Sequence, residues 1–370
     1  MKFAIITHVK HKFHESDIYA YEPYVREMNL WGKQVSSIKI VAPLSTDSLT
    51  SIDAKYNHEF IHVDKIPSFD ILSFKSKLKT IVKLPIILFK IFKTCFWADH
   101  IHLRCPGNIG LLGCFVQIFF PFKKKTVKYA GNWDPNSKQP LSYRIQKWIV
   151  SNRFLTYNCK VLVYGEWEKQ SKNIKPFFTA TYRKNEIISI PIKNLTDKIK
   201  VIFVGAFTQG KQPIISVKAI ERLIEEGFNI SLDMYGEGDE YAIIEKYILE
   251  NNLHKVIKLH GNQSKEIVKK AFQESHFLVF VSKSEGWPKV IAEAMFWSCL
   301  PISSAVSCIP YMLNYGERGA LVDTTVENIC SAIQDYMSNH KKYEKSIVSG
   351  KNWSQEYTLD TFEREILKLL

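Results

Sequence analysis

Between Lys200 and Ser304, short apolar runs alternate with stretches whose apolar positions recur at helical spacing. Val201-Ile202-Phe203-Val204 is a β-branched run closed by Gly205, the pattern of a buried strand. From about Pro213 to Glu226 the apolar positions are 214, 215, 217, 220, 223 and 224, which predicts an amphipathic helix stopped by Gly227. A strand over 229–235 then closes on Gly236-Glu237-Gly238-Asp239. A helix running to about Asn251, a strand at 256–259, a helix at about 264–274 and the very apolar strand 277–281 follow. A helix from about Val290 to Cys299 leads into a strand at 300–303. This alternation predicts a parallel sheet covered by helices on both faces, an α/β fold.

The first half repeats the alternation less regularly. Strands are expected at 2–7, 38–42, about 99–103, 126–130 and 160–164, and helices near 20–33, 74–93, 141–150 and 166–172. Ile190-Pro191-Ile192-Lys193-Asn194 reads as an extended linker. The 370 residues are too many for one ordinary core and enough for two domains. The expected organisation is a domain over 1–194, a second over 195–345, and a C-terminal helix over 346–370 packing back on the first. Two such α/β halves with a linker imply a cleft where their strand ends face each other, a place where ligands bind.

Charge changes the picture. Residues 1–195 hold 30 Lys/Arg against 14 Asp/Glu, whereas 196–370 hold 20 against 23. Only the first half is therefore expected to meet an anionic partner: a membrane surface, a lipid-phosphate acceptor or nucleic acid. Nucleic acid is disfavoured because no recognised binding motif accompanies the charge. The stretch Lys75–Lys93 carries six lysines and no acid beside apolar residues, and Lys123-Lys124-Lys125 follows Phe119-Phe120-Pro121-Phe122. Both suit a peripheral contact with an anionic membrane, and the first equally suits a core-packed helix with a basic outer face, kinked at Pro85. The N-terminus lacks the long apolar region of a signal peptide, and the longest apolar run, Ile109–Phe122, is too short and too interrupted to span a bilayer. The seven cysteines (95, 105, 114, 159, 299, 308 and 330) are scattered without a CxxC pair, which fits reduced thiols in a cytoplasmic protein.

The chemistry concentrates in Ser282-Lys283-Ser284-Glu285-Gly286-Trp287-Pro288-Lys289-Val290-Ile291-Ala292-Glu293-Ala294-Met295. It follows a buried strand, so its loop lies at the carboxyl edge of the sheet. Gly286 lets the backbone approach a ligand, and Pro288 suits the first turn of the next helix. Amides of Trp287, Lys289 and Val290 would form an anion site aided by the helix dipole. Glu285 and Glu293 flank that helix start, and carboxylates there accept hydrogen bonds from sugar hydroxyls. The plain alternative is an acidic residue stabilising the helix terminus plus a solvated glutamate.

This stretch resembles the E-x7-E signature of the retaining GT-B glycosyltransferases called family 4. The resemblance runs from about Val201 to Val322 and includes Val204-Gly205 with Lys211, Tyr235-Gly236-Glu237-Gly238, Gly261, Pro301 and Gly316-Glu317-Arg318-Gly319-Ala320-Leu321-Val322. It implies two facing Rossmann-like domains and metal-independent transfer of a sugar, with retention, from a UDP- or GDP-sugar to a glycan or lipid-linked acceptor, with no further cofactor. It also implies that Glu285 holds a donor-sugar hydroxyl, that Gly205 and the backbone from Gly286 to Pro288 approach sugar or diphosphate, that Glu293 binds the ribose and that Lys211 binds the diphosphate. Lys211 and Glu285 are then the catalytic pair. No Asp-x-Asp triplet occurs, so the carboxylates expected around a metal-bound diphosphate are missing; an ammonium and a helix N-terminus can stabilise the departing charge instead.

The chain departs from the family at three places. Ala206 stands where an arginine commonly follows the Val-Gly pair, and Thr7-His8-Val9-Lys10-His11-Lys12-Phe13-His14 replaces a glycine-rich loop after the first strand. In Asp99-His100-Ile101-His102-Leu103-Arg104, Arg104 occupies the place of a second histidine; it can pair with phosphate but accepts no proton. His8, His11, His14 and His102 are the candidate substitutes, so His8, His102 and Arg104 form the acceptor-side set. A leaving phosphate can itself take the acceptor's proton. Bacterial surface-polysaccharide assembly at the inner face of the membrane is the role implied. Two other readings are a nucleotide-sugar epimerase or phosphorylase of the same fold, and an inactive partner subunit, the latter motivated by Ala206 and Arg104.

Overall fold

The computed structural model describes residues 1–50, 52–67 and 74–370, and over 74–82 the backbone alone. The chain forms two compact units, Met1–Phe178 with Phe362–Leu370, and Thr179–Thr361.

In the first unit the elements are β1 (Lys2–Ile6), β2 (His11–His14), β3 (Asp17–Tyr21), α1 (Glu22–Gly32), β4 (Ser37–Pro43), β5 (Asp53–Lys55), β6 (Ile61–Ile66), α2 (Phe74–Trp97), β7 (His100–Cys105), α3 (Asn108–Val116), β8 (Lys124–Tyr129), α4 (Leu141–Ser151), β9 (Cys159–Tyr164) and β10 (Ile174–Phe177). Seven strands form one sheet in the order β10-β9-β8-β7-β1-β4-β6, each pair parallel. Central strands are buried on both faces; Phe3, Ala4, Ile5 and Ile6 of β1 have no exposed surface. A separate antiparallel sheet, β2-β3-β5, is inserted after β1.

The helix expected at 166–172 is absent: the segment is a run of turns in which Lys169 sits at φ 54°, outside helical space. Helix α2 continues through Pro85 to Trp97. Ile87, Ile91 and Cys95 recur at i, i+4, i+8 and pack into the core, while Ile86, Phe89 and Phe96 on the same helix are exposed. Lys75, Lys77 and Lys79, part of the basic segment read from the sequence, have side chains outside the described residues.

The second unit holds β11 (Ile199–Val204), α5 (Pro213–Glu225), β12 (Ile230–Tyr235), α6 (Tyr241–Glu250), β13 (Ile257–Leu259), α7 (Lys265–Glu274), β14 (Phe277–Phe280), α8 (Lys289–Phe296), β15 (Leu300–Ser304), α9 (Ile309–Met312), β16 (Ala320–Val322), α10 (Val326–Ser338) and α11 (His340–Glu356). A last helix, α12 (Leu359–Leu367), runs from this unit into the first. The single helix expected over 346–370 is thus two, separated at Tyr357-Thr358. Residues 179–198 pack with the second unit: Tyr182 lies against Phe296 and Trp297, and the Lys193 ammonium donates to the Ser298 carbonyl at 2.7 Å.

The second sheet is parallel throughout, ordered β13-β12-β11-β14-β15-β16. Chain order reverses between β11 and β14, just as it reverses between β1 and β7 in the first unit. In open parallel sheets the crevice outside the carboxyl ends of the strands at such a reversal is where ligands bind. The loops in question are 205–212 after β11 and 281–288 after β14.

Candidate functional site

The loop after β11 is held in place by the loop after β12. The Gly205 amide donates to the Tyr235 carbonyl at 3.0 Å, the Phe207 amide to the Glu237 carbonyl at 2.9 Å, and the Glu240 amide to the Phe207 carbonyl at 3.0 Å. Gly236 sits at φ 138°, and a Cβ there would fall 1.9 Å from the Gly205 carbonyl oxygen, so only glycine permits this approach. Gly236→Ala is therefore expected to destabilise the second unit by roughly 1–3 kcal/mol. Urea unfolding measures this, and an unchanged midpoint would show that the two loops do not depend on each other.

The chain next turns at Thr208, whose carbonyl accepts from the amides of Lys211 and Gln212. The Lys283 amide donates to the Gly210 carbonyl at 2.9 Å, which joins this turn to the loop after β14. As a result the Lys211 ammonium contacts a carboxylate oxygen of Glu285, and it lies 5.0 Å from the Phe280 ring centroid. The Glu285 side chain is only 8% exposed, so its charge depends on Lys211 for compensation. These two sequence candidates, 74 positions apart, are brought together.

The Glu285–Pro288 turn is braced from below. Ser304 Oγ accepts from the Ser282 amide at 3.0 Å and donates to its carbonyl at 2.8 Å, and Ser303 Oγ donates to the Phe280 carbonyl at 2.5 Å. The Gly286 carbonyl accepts from the Cys308 thiol at 3.0 Å and the Ser307 hydroxyl at 3.3 Å. Trp287 is buried and stacks on Trp353 of α11 with centroids 6.1 Å apart. Its indole anchors the turn, which leaves backbone as its means of meeting a ligand. Pro288 is the residue before α8, whose first helical residue is Lys289, one position earlier than the start near Val290 read from the sequence. Lys289 and Val290 open the helix, and amides of a first turn have no acceptor within the helix. A phosphate oxygen placed there would meet those N–H groups and the positive end of the dipole.

Glu293 lies one turn further along α8, and its carboxylate accepts from the Thr181 hydroxyl at 2.5 Å. It is engaged by Thr181, in contrast to Glu285, which is held by Lys211. Thr181, Ser303, Ser304, Ser307 and Cys308 escaped the sequence reading, because single hydroxyls and a lone thiol carry no spacing signal.

In the first unit, the loops after β1 and β7 line a hollow of about 310 Å³ bounded by His8, Lys10, Pro43, Gly107, Asn108 and Tyr143. The His8 ring lies against Gly107, where a Cβ would come within 2.7 Å of its Nδ1. Loss of hydration, then the Arg104 charge, hold the His8 pKa below its ordinary value. His102 is elsewhere: it is fully buried in β7 beside Trp31, bonded through Nδ1 to the Thr126 hydroxyl at 2.8 Å. That position corrects its expected place on the acceptor side, since alternation along the strand turns it into the core. Arg104 is likewise occupied, paired with Glu27 at 3.5 Å beneath the Tyr24 ring. His11 is buried as well, bonded to the Tyr56 hydroxyl at 2.8 Å.

Residues 185–353 match the family described as glycosyl transferases group 1. An uncharacterized glycosyltransferase of Methanocaldococcus jannaschii is 30% identical over 158 residues, 42% of this chain and 43% of that protein. The chain thus matches less than half of that relative's length. Two solved structures resemble it from end to end. The HepE protein of Anabaena, solved with UDP and glucose, is 12% identical at a TM-score of 0.70, over 100% of this chain and 98% of that one. Sucrose-phosphate synthase of Thermosynechococcus elongatus is 16% identical at a TM-score of 0.69, over the same shares. With its two parallel α/β sheets, the chain has the GT-B fold, and its residues 185–353 are similar to the glycosyl transferases group 1 family.

Proposed function

We propose that this chain transfers a sugar from a UDP- or GDP-sugar to a glycan or lipid-linked acceptor, with retention at the anomeric carbon and without a divalent metal. The observation that carries the reading is the Lys211–Glu285 contact at the carboxyl ends of β11 and β14. An ammonium, a buried carboxylate and a helix start meet there, and a diphosphate bearing a sugar needs those three kinds of group. The match with E-x7-E signatures of family 4 supports the same assignment.

On this reading the donor diphosphate lies against the amides that open α8, and Lys211 turns from Glu285 to a phosphate oxygen. Glu285 then accepts a hydrogen bond from a hydroxyl of the sugar, and Glu293 exchanges Thr181 for the ribose hydroxyls. The bond from the anomeric carbon to the leaving phosphate breaks as negative charge grows on the diphosphate, where Lys211 and the helix terminus stabilise it. The acceptor oxygen bonds to the same face of that carbon, and its proton passes to a phosphate oxygen. The first unit receives the acceptor, with His8 at the mouth of its hollow. Its basic balance fits an anionic or lipid-phosphate acceptor, a peripheral membrane contact at the cytoplasmic face and a part in surface-polysaccharide assembly.

Calorimetric titration with UDP- and GDP-sugars, followed by an assay of slow donor hydrolysis, tests the reading. Glu293→Ala is expected to weaken nucleotide binding roughly tenfold, the worth of one hydrogen bond to a charged group, while leaving the second unit folded. Donor affinity equal to that of the parent would remove Glu293 from the site, and absence of any nucleotide-sugar binding would overturn the function.

A further inference from the structure

A second hollow of the first unit lies at the opposite edge of its sheet from His8. Its volume is about 990 Å³, and it is lined at the amino ends of β8, β9 and β10 and by the last residues of the chain. Lys124, Arg153, Lys160, Lys172, Lys175 and Lys368 line it as exposed cations, and no Asp or Glu side chain does so among the described residues. Lys124 and Lys160 donate to the carbonyls of Leu370 and Lys368 at 2.6 and 3.0 Å, and Lys368 pairs with Glu365 at 2.7 Å. Arg153, Lys172 and Lys175 have no hydrogen-bond or ion-pair partner among the described residues.

The same edge exposes rings. Phe122 and Phe154, both lining the hollow, are each 88% exposed, and Tyr157 is 57% exposed. Phe96, at the end of α2 where the chain enters β7, and Phe119, just before β8, are 71% and 72% exposed. Phe119 touches Phe92 with centroids 6.4 Å apart, which extends the band along α2. Folding gains nothing from rings left in water, and contiguous exposed apolar surface marks a place of contact. Cations alone would suit any polyanion. Cations interleaved with projecting aromatic rings suit the bilayer interface, where rings enter the headgroup layer and lysines meet anionic lipid.

We propose that the amino edge of the first unit's sheet is a membrane-docking face, in which Phe122 and Phe154 insert among the headgroups of an anionic bilayer while Arg153, Lys172 and Lys175 bind their phosphates. This assigns the membrane contact suggested above to particular residues, and its test makes no use of the transfer reaction.

The full chain is sedimented with sucrose-loaded vesicles of phosphatidylcholine alone, or with a third of phosphatidylglycerol, at 0.1 M and 1 M salt and without donor. Binding is expected only to the anionic vesicles, and it should fall at high salt. Lys172→Gln/Lys175→Gln should lower the partition coefficient by roughly fivefold for each cation removed. Phe122→Ala/Phe154→Ala, which leaves charge unchanged, should lower it on the order of tenfold. Both pairs lie in solvent, so circular dichroism and the melting temperature should match the parent. No sedimentation with anionic vesicles overturns the proposal, as does binding that the phenylalanine pair leaves unchanged. Tight binding of heparin without vesicle binding overturns it in favour of a soluble polyanion. Donor hydrolysis is read without vesicles, so failure of the transfer reading and failure of this one are separately visible.

Discussion

Lys211→Ala is expected to lower kcat/KM for sugar transfer by roughly two to three orders of magnitude, the scale on which one group aimed at developing charge acts. The argument begins with the fold. Two loops outside a reversal of strand order bring one ammonium onto one buried carboxylate. On the proposed reading, removing the ammonium takes a cation from the diphosphate; it also leaves Glu285 without its compensating charge. The two effects separate in a double-mutant cycle. Lys211→Ala should lower the melting temperature of the second unit more than Lys211→Ala/Glu285→Gln does, because the neutral amide tolerates burial without a cation. Turnover should stay low in both. Since the residues act as a pair, Glu285→Gln added to Lys211→Ala should cost less in kcat/KM than Glu285→Gln in the parent. Turnover and donor affinity within twofold of the parent in Lys211→Ala would end the assignment.

The first unit should lose stability steeply as pH falls below about 6.5. Three of its histidines are fully buried: His11, beside Tyr56, and His100 and His102, which share the Thr126 hydroxyl. Burial lowers their pKa values, to about 4 for His11, to about 3 for His100 and well below the ordinary value for His102. Each is therefore neutral in the fold and takes up a proton on unfolding near pH 6.5. Stability from a depressed histidine pKa is whole above the unfolded value and lost as pH falls beneath it. The loss is about 1.4 kcal/mol per pH unit for each histidine, or about 4 kcal/mol per unit for the three together. His276 is the corresponding group in the second unit, lowered by burial. Buried Lys125 and half-buried Lys147 and Lys193 are lowered by desolvation to about 8 and do not titrate in this window. Calorimetry from pH 7 to 5 should show the first unit melting progressively earlier while the second changes less. His11→Gln, which can keep a bond to Tyr56, should reduce the slope. Parallel behaviour of both units would refute the account.

The second unit was largely legible in the sequence. Its strands are short and mostly apolar, several are closed by glycine, and burial on both faces leaves few polar positions to blur the pattern. The loop joining Phe280 to Lys289 was legible too, because its glycine, proline and acids stand close together along the chain. What escaped was set by tertiary packing. Strands β2 and β5 are polar and short, β3 overlaps the helix expected from about residue 20, and β10 contains Pro176. Apolar residues surround α3 on all sides, which hides its period. The segment 166–172 has helix-forming residues, yet a left-handed residue and turns interrupt it. Thr181 meets Glu293 across 112 positions, and His102, though read on a strand, is buried against Trp31, which the sequence does not reveal. Contacts of that kind have no signature in spacing.

Strand β7 runs six residues from the lysine-rich edge, beside Phe96, to the rim where Gly107 supports His8. At the rise of an extended chain that is about 20 Å. On the docking proposed above, a unit moored to lipid by one edge would hold the other at that altitude above the headgroups. The strand is then a molecular ruler.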